Sequence, residues 1–299
     1  MYNGILNVYK EKGFTSHDVV AKLRGICGQR KIGHTGTLDP EAVGVLPVCL
    51  GNATGLSEML TDHDKEYEAV LRLGVVTDTQ DMTGTVLEEH PVTFSKEEAC
   101  AVISSFVGEY DQLPPMYSAL KVNGKRLYEL AREGKEIARK ARRVSLYAID
   151  ILSAEMPDIT FRVVCSKGTY IRTLCHDIGQ KAGCGGVMLS LKRTRVGRFT
   201  KEDAHTLSKL EELKKAGRLT DVILPVDAMF EELAGVHVPE PFIKAVKNGN
   251  RFLSSQIMER RLFGDREEVR VYDAEGRFYG IYVFREKEGF FVPRKMFLG

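Results

Sequence analysis

Residues Arg30 to Thr54 read RKIGHTGTLDPEAVGVLPVCLGNAT, and this stretch decides how the rest of the chain is understood. It opens basic, at Arg30, Lys31 and His34, and tightens through Gly33-His34-Thr35-Gly36-Thr37-Leu38-Asp39-Pro40. It then runs almost uncharged to Leu50. Gly33 and Gly36 let the backbone bend where a Cβ would clash. Pro40 disfavours helical dihedrals at the residue before it, so Asp39 is expected in extended or turn geometry. One carboxylate is thereby presented on a loop between a cationic segment and an apolar wall. Taken alone, Asp-Pro is ordinary turn chemistry; the flanking residues are what single out Asp39. A P-loop reading fails, because no Gly-Lys-Ser/Thr follows the glycines.

Outward from this loop, composition sets the bounds. The chain has 299 residues, room for one large domain and one small one. With 43% hydrophobic and 28% charged residues it has an ordinary globular composition. No apolar run approaches the roughly 20 residues that cross a bilayer, and Lys10, Glu11 and Lys12 stand where a signal peptide would need an apolar core. A cytoplasmic protein with no membrane partner is expected. The six cysteines, at 27, 49, 100, 165, 175 and 184, form no Cys-x-x-Cys, so they are expected to stay reduced and to pack as small apolar groups. His34 with Asp39 raises the idea of a metal pair, but a metal site wants more ligands at tight spacing, so no metal is expected. The net charge of +2 is uninformative. Its distribution is not: Lys121 to Arg143 holds nine Lys/Arg against three Glu, a local net of +6. That imbalance favours a phosphate-facing surface over a solvated helix.

Local patterns place these features on elements. Ile5 to Tyr9 reads as a strand. Thr15 or Ser16 caps a helix that buries Val19, Val20 and Leu23. From Lys65 to Val75 alternation puts Tyr67, Ala69, Leu71 and Leu73 on one face. Ser95-x-x-Glu98 is a capping box, and Ser208-x-x-Glu211 reads as a second. Val144 to Ile151 and Ile159 to Cys165 are strands, and Tyr170 to Lys181 is a helix. Beyond a boundary near Leu233, Pro239 to Asn248 reads as one helix with Phe242, Ile243 and Val246 as its stripe, followed by a hairpin around Asp273-Ala274-Glu275-Gly276.

The stretch Lys31-Ile32-Gly33-His34-Thr35-Gly36, then Leu38-Asp39-Pro40, Gly44, Leu46-Pro47 and Gly51-Asn52-Ala53-Thr54, closely resembles the active-site loop of the bacterial TruB family, the tRNA pseudouridine-55 synthases. Further resemblance comes, in order, at Asp64-Lys65-Glu66-Tyr67, at Tyr117-Ser118-Ala119-Leu120-Lys121 with Gly124-Lys125-Arg126-Leu127-Tyr128, and at Cys165 to Arg172. The likeness covers about the first 200 residues. Departures are Glu11 after Lys10, where relatives usually have Pro, and Gly55, where many have Lys. The resemblance implies an α+β pseudouridine synthase fold, with a mainly antiparallel mixed sheet flanked by helices. The catalytic domain would span residues 1–233, with an RNA-binding insertion at about 112–147. A small PUA-like RNA-binding β domain would span 234–299, resting mostly on fold analogy.

For the site, the resemblance implies Asp39 as the essential carboxylate, Tyr67 and Tyr170 against the target base, Arg172 paired with Asp39, Leu191 as a pocket wall and His34 at the RNA surface. Lys31, Lys121, Lys125 and Arg126 are further expected RNA contacts. The partner implied is the T arm of tRNA, met by a monomer without nucleotide or other cofactor.

The chemistry is consistent with these roles. Pseudouridine formation breaks the N1–C1′ bond and makes a C5–C1′ bond, a net isomerisation that consumes no oxidant or nucleotide. One carboxylate can serve as nucleophile or base. Its charge calls for a compensating cation, which Arg supplies with paired planar donors. The target must leave the base stack, so the pocket needs stacking surfaces and an apolar floor. Two other readings stand beside this one: an RNA-binding protein with an idle Asp39, and a hydrolase of N-glycosides, although glycosidases usually pair two carboxylates.

Overall fold

The computed structural model describes residues 1–122 and 124–298, except for the side chain of Lys121. A ten-stranded mixed sheet organises residues up to Leu224. Gly4–Lys10 pairs antiparallel with Val43–Leu50, and Lys65–Leu73 lies antiparallel between Asp158–Cys165 and Gly186–Val196. Arg142–Glu155 and Gly108–Gln112 extend the second group. The two antiparallel groups meet at a short parallel seam, where Lys192 and Arg193 pair with Val43 and Gly44. Backbones approach so closely there that a Cβ on Gly44, at φ +111°, would lie 2.2 Å from the Arg193 carbonyl oxygen.

Helices follow their end signals. Thr15 caps Ser16–Cys27 in a reciprocal capping box with Asp18, and Gly28 closes the helix in left-handed geometry. Its Val19, Val20 and Leu23 pack with Leu6, Val8, Leu46 and Val48 of the sheet. Ser95 and Glu98 form the second capping box, at the start of Lys96–Ser104. The helix expected to be capped by Ser208 is capped two residues earlier. Thr206 is its cap, accepting the Lys209 N–H at 3.3 Å, and this phase buries Leu207 and Leu210. Ile171–Ala182 packs its apolar face on the strand Lys65–Leu73. There Tyr67, Ala69, Leu71 and Leu73 all point inward, as the alternation requires.

From Ala234 a second sheet begins. Ala234–Val238 runs parallel to Glu268–Asp273, and Phe278–Arg285, Phe290–Met296 and Phe252–Leu253 follow antiparallel. Its core is aromatic, with Phe252, Phe263 and Phe284 each packed against Phe291. The helix read over Pro239–Asn248 is only Ile243–Lys247, and Phe242, expected in its apolar stripe, is exposed. Pro239 and Pro241 withhold two N–H groups and delay the helix start. The two sheets are joined by contacts around Phe297. Its carbonyl accepts from Asn52 Nδ2 at 2.7 Å, and its ring packs on Phe230 and Phe278. A Cβ on Gly55 would lie 3.6 Å from that ring, so a lysine there would have to share space with Phe297.

Candidate active site

The loop carrying Asp39 opens at the seam between the two antiparallel groups. Leu38 is buried in the core beneath the Lys65–Leu73 strand, and its N–H donates to Ser16 Oγ at 2.9 Å. Thr35 is pinned by its own N–H and hydroxyl to the Pro47 carbonyl. With the segment before it held at these two points, Asp39 keeps 37% of its side chain exposed.

Arg172 comes from the first turn of the Ile171–Ala182 helix and is buried. Its Nε lies 3.0 Å from one Asp39 carboxylate oxygen, and a terminal nitrogen donates to the other at 3.3 Å. The same guanidinium donates to the Thr79 carbonyl at 3.2 Å and the Tyr117 carbonyl at 2.7 Å, and lies 3.5 Å from Asp81. One side chain thus gathers three segments remote from it in sequence. Asp81 is held in turn by Thr79 and Thr83, whose hydroxyls and one N–H donate to a single carboxylate oxygen. The local sequence marks Thr77 to Asp81 only as a polar connection. Its place beside Arg172 depends on Arg172, far along the chain, being folded against it.

Burial pushes the Asp39 pKa up. Arg172 pulls it back, while the nearby Asp81 charge pushes it further up; desolvation wins. Tyr67, on the Lys65–Leu73 strand, is buried and its phenol is raised by desolvation, so it stays protonated at neutral pH. Tyr170 caps the Arg172 helix. Its backbone is clamped from both sides by Gln112, at 2.8 and 3.0 Å, and its ring is half-buried within electrostatic reach of Asp39 and Arg172. Leu191 stands opposite Ala69 across the strand pair, against the cluster that holds Leu38 and Tyr67. Asp39, Arg172 and Tyr170 lie within electrostatic reach of one another, while Tyr67 and Leu191 pack in the cluster that holds Leu38.

The other expected site residues lie elsewhere. His34 ends the short strand Ile32–His34 and stacks edge-on against His17 at 5.3 Å. Its Nδ1 accepts the Gly36 N–H at 3.3 Å, which leaves the ring proton on Nε2. Lys31 is exposed on the approach to that strand. Lys125 and Arg126 belong to the insertion, where Lys125 pairs with Glu133 and Arg126 donates to the Tyr128 hydroxyl. Lys121 lies in a two-stranded ribbon with Arg126; its side chain is outside the described residues.

Burial, then His17 and Arg193, depress His34 to about 4. The folded value lies below the ordinary 6.5, so between pH 6.5 and pH 4 the unfolded chain binds more protons. The stability contributed by neutral His34 is complete above that window and is lost as pH falls through it. Thermal unfolding of parent and His34→Gln across this range should show the parent losing Tm more steeply; parallel curves would contradict a half-buried neutral His34.

Comparison with known proteins bears on the fold and the family. Two solved structures share the fold over 99% of this chain: a Cbf5–Nop10–Gar1 complex, at 29% identity and TM-score 0.71, and an H/ACA ribonucleoprotein bound to a substrate RNA containing 2′-deoxyuridine, at 27% and 0.70. In each, 85% of the matched chain is covered. The class of the chain is that of the pseudouridylate synthases, by its family match. Residues 24–171 match the family described as TruB family pseudouridylate synthase, N-terminal domain, and 172–231 match the tRNA pseudouridylate synthase B C-terminal domain. The tRNA pseudouridine synthase B of Lachnoclostridium phytofermentans is 53% identical over 99% of this chain and 100% of its own length. That of Alkaliphilus oremlandii is 46% identical over 96% and 94%. The chain belongs to the TruB family.

Proposed function

We propose that this protein isomerises the uridine at position 55, in the T loop of tRNA, to pseudouridine. Asp39 is the carboxylate that engages the flipped-out nucleotide, as nucleophile or base. The observation that carries this reading is the Asp39 carboxylate paired with the buried Arg172 at 3.0 and 3.3 Å, beside Tyr67. Arg172 keeps Asp39 oriented and offsets its desolvation. Tyr67 and Tyr170 offer ring surface to a base, and Leu191 an apolar wall. Bond for bond the chemistry balances: the N1–C1′ electron pair leaves with the base, the base turns, C5 bonds to C1′, the C5 proton is lost to solvent, and N1 takes up a proton in its place. The protein acts as a monomer in the cytoplasm. Residues 1–233 form the catalytic domain, and the unit from 234 is a PUA-like second RNA-binding domain. Among the described residues no helix is long and apolar enough to cross a membrane. The deciding assay is tritium release from transcribed tRNA labelled at C5 of uridine, with the modified position mapped. Unchanged RNA would leave only a binding protein; an abasic site with free uracil would mean hydrolysis.

RNA docking is assigned to the insertion, and here the side chains refine the sequence reading. Arg143 forks onto Asp111 and contacts Glu109, while Arg139 is mostly buried, donating to the Pro114 carbonyl and pairing with Glu136. Those two hold the insertion together. Lys140 and Arg142 are exposed, with no carboxylate within 4.0 Å among the described residues, and Arg142 lies within electrostatic reach of Tyr170. Replacing Lys140 and Arg142 by Gln should weaken binding of tRNA, and of a T-arm hairpin, by about ten-fold at low salt, and lower the salt slope by about two. The kcat should change less. A variant that keeps both the affinity and the salt slope of the parent would remove the insertion from the binding surface.

A further inference from the structure

The insertion leaves the sheet after Gln112 and returns to it at Arg142, and these two residues stand directly opposite each other across the antiparallel pair Gly108–Gln112 and Arg142–Glu155. Gln112 is buried, with 1% exposed. Its Oε1 accepts the Tyr170 N–H at 2.8 Å, while its Nε2 donates to the Tyr170 carbonyl at 3.0 Å and to the Tyr110 hydroxyl. Tyr170 is the N-cap of Ile171–Ala182, the helix whose first turn carries Arg172. N-caps are usually Ser, Thr, Asp or Asn, which hold the helix start with their own side chains; Tyr170 makes no such bond. The clamp on this helix start is therefore supplied from outside it, by the residue at the foot of the insertion. Further along the same segment the Tyr117 carbonyl accepts from Arg172 at 2.7 Å. The foot of the insertion thus holds both the residue that begins the helix and the guanidinium that meets Asp39.

We propose that Gln112 is a positioning residue for the isomerisation: its amide joins the foot of the RNA-binding insertion to the helix start that presents Tyr170 and Arg172 to Asp39. The inference rests on the isomerase reading above. A side-chain amide carries a donor and an acceptor side by side, so it engages the N–H and C=O of one residue at once, as a neighbouring strand would. That holds Tyr170 in extended backbone, at φ −98° and ψ 110°, where the chain turns into the helix. Burying an amide for packing alone is costly, and an apolar side chain of the same length would fill the space better. Without the clamp the helix start can shift. A displacement of about 1 Å at a catalytic group is enough to cost turnover, while the phosphate contacts of the insertion, which set position, stay in place.

The test compares parent, Gln112→Met and Gln112→Glu by tritium release from labelled tRNA, with tRNA binding and thermal unfolding measured alongside and each rate taken well below the variant's Tm. Methionine keeps the bulk and removes both bonds to Tyr170, so kcat should fall by about 10- to 100-fold with KM within about three-fold. Glutamate is nearly isosteric. Ionised, its carboxylate accepts the Tyr170 N–H but has nothing to donate to the Tyr170 carbonyl; protonated, it does both. Burial favours the protonated form. The ratio of Gln112→Glu to parent kcat should therefore be low at about pH 8 and rise by about five-fold or more toward about pH 6, while that of Gln112→Met stays flat. Tyr110 on the same strand, Arg142 opposite, Asp177 and Cys175 on the helix and Cys165 on Asp158–Cys165 are the titratable or charged groups around this amide. Both proteins share them, so the ratio removes their titration. A merely structural role would lower Tm in both variants and leave kcat below Tm unchanged. Should Gln112→Met fail to fold, the pH dependence of Gln112→Glu decides by itself. Parental kcat in either variant at about pH 8, a loss of affinity in place of kcat, or a low Gln112→Glu ratio that stays flat with pH overturns the inference while parental activity stands. A parent that releases no tritium overturns the isomerase reading, and this inference with it.

Discussion

Asp39→Asn should reduce turnover on tRNA by about 10⁴-fold or more, on the order of 5.5 kcal/mol of barrier, while tRNA affinity stays within about three-fold because phosphate contacts carry most of it. The amide keeps the shape of the carboxylate and can still hydrogen-bond, but it is neither nucleophile nor base. Loss of activity through unfolding is not expected. The folded pKa of Asp39 is raised, chiefly by desolvation. An ionised Asp39 therefore opposes folding near neutral pH, and that penalty fades as pH falls through its folded pKa. Asparagine removes the penalty, and Arg172 still has Asp81 and two carbonyls to bond. A Tm equal to or above the parent's, beside a dead enzyme, is the expected pair of results. Substantial multiple turnover in Asp39→Asn would sink the assignment of this carboxylate.

Arg172→Lys should lower kcat by about 100-fold, a typical cost for losing a fixed electrostatic partner in a water-poor site. The charge survives, but the fork does not. Arg172 meets both Asp39 oxygens while also donating to the Thr79 and Tyr117 carbonyls, and one ammonium cannot span those positions. From the pairing with Asp39 alone, little loss of stability would be expected. The two carbonyl contacts change that: leaving buried acceptors unmet costs about 1–3 kcal/mol each, so Tm should fall as well. The catalytic part is separated by working well below the variant's Tm and comparing single-turnover rates with tRNA bound. Near-parental single-turnover rates there would show that Arg172 is a structural tie and not the partner on which Asp39 depends.

The sequence by itself determined whatever is local or periodic. The capping boxes at Thr15 and Ser95, the buried face of Val19, Val20 and Leu23, and the inward set Tyr67, Ala69, Leu71 and Leu73 follow from hydrogen-bonding side chains and from periods of 3.6 and 2, which need no knowledge of the rest of the chain. Asp39 was singled out in the same way, by its glycines, its proline and the order of residues around it. Where two local signals competed, local reading slipped: Thr206 displaced Ser208 as a cap, and the prolines before Phe242 left that side chain in solvent. Only the tertiary structure decided which distant groups share a site. Strand register set Arg193 opposite Tyr67, and the parallel seam brought the Asp39 loop to both. Asp81 became the second carboxylate on Arg172, and Arg139 and Arg143 were spent on ion pairs, leaving Lys140 and Arg142 with no carboxylate within 4.0 Å among the described residues. These are facts of long-range pairing and enclosure: charge and residue type are written at each position, but which charges are neutralised depends on which strands lie side by side.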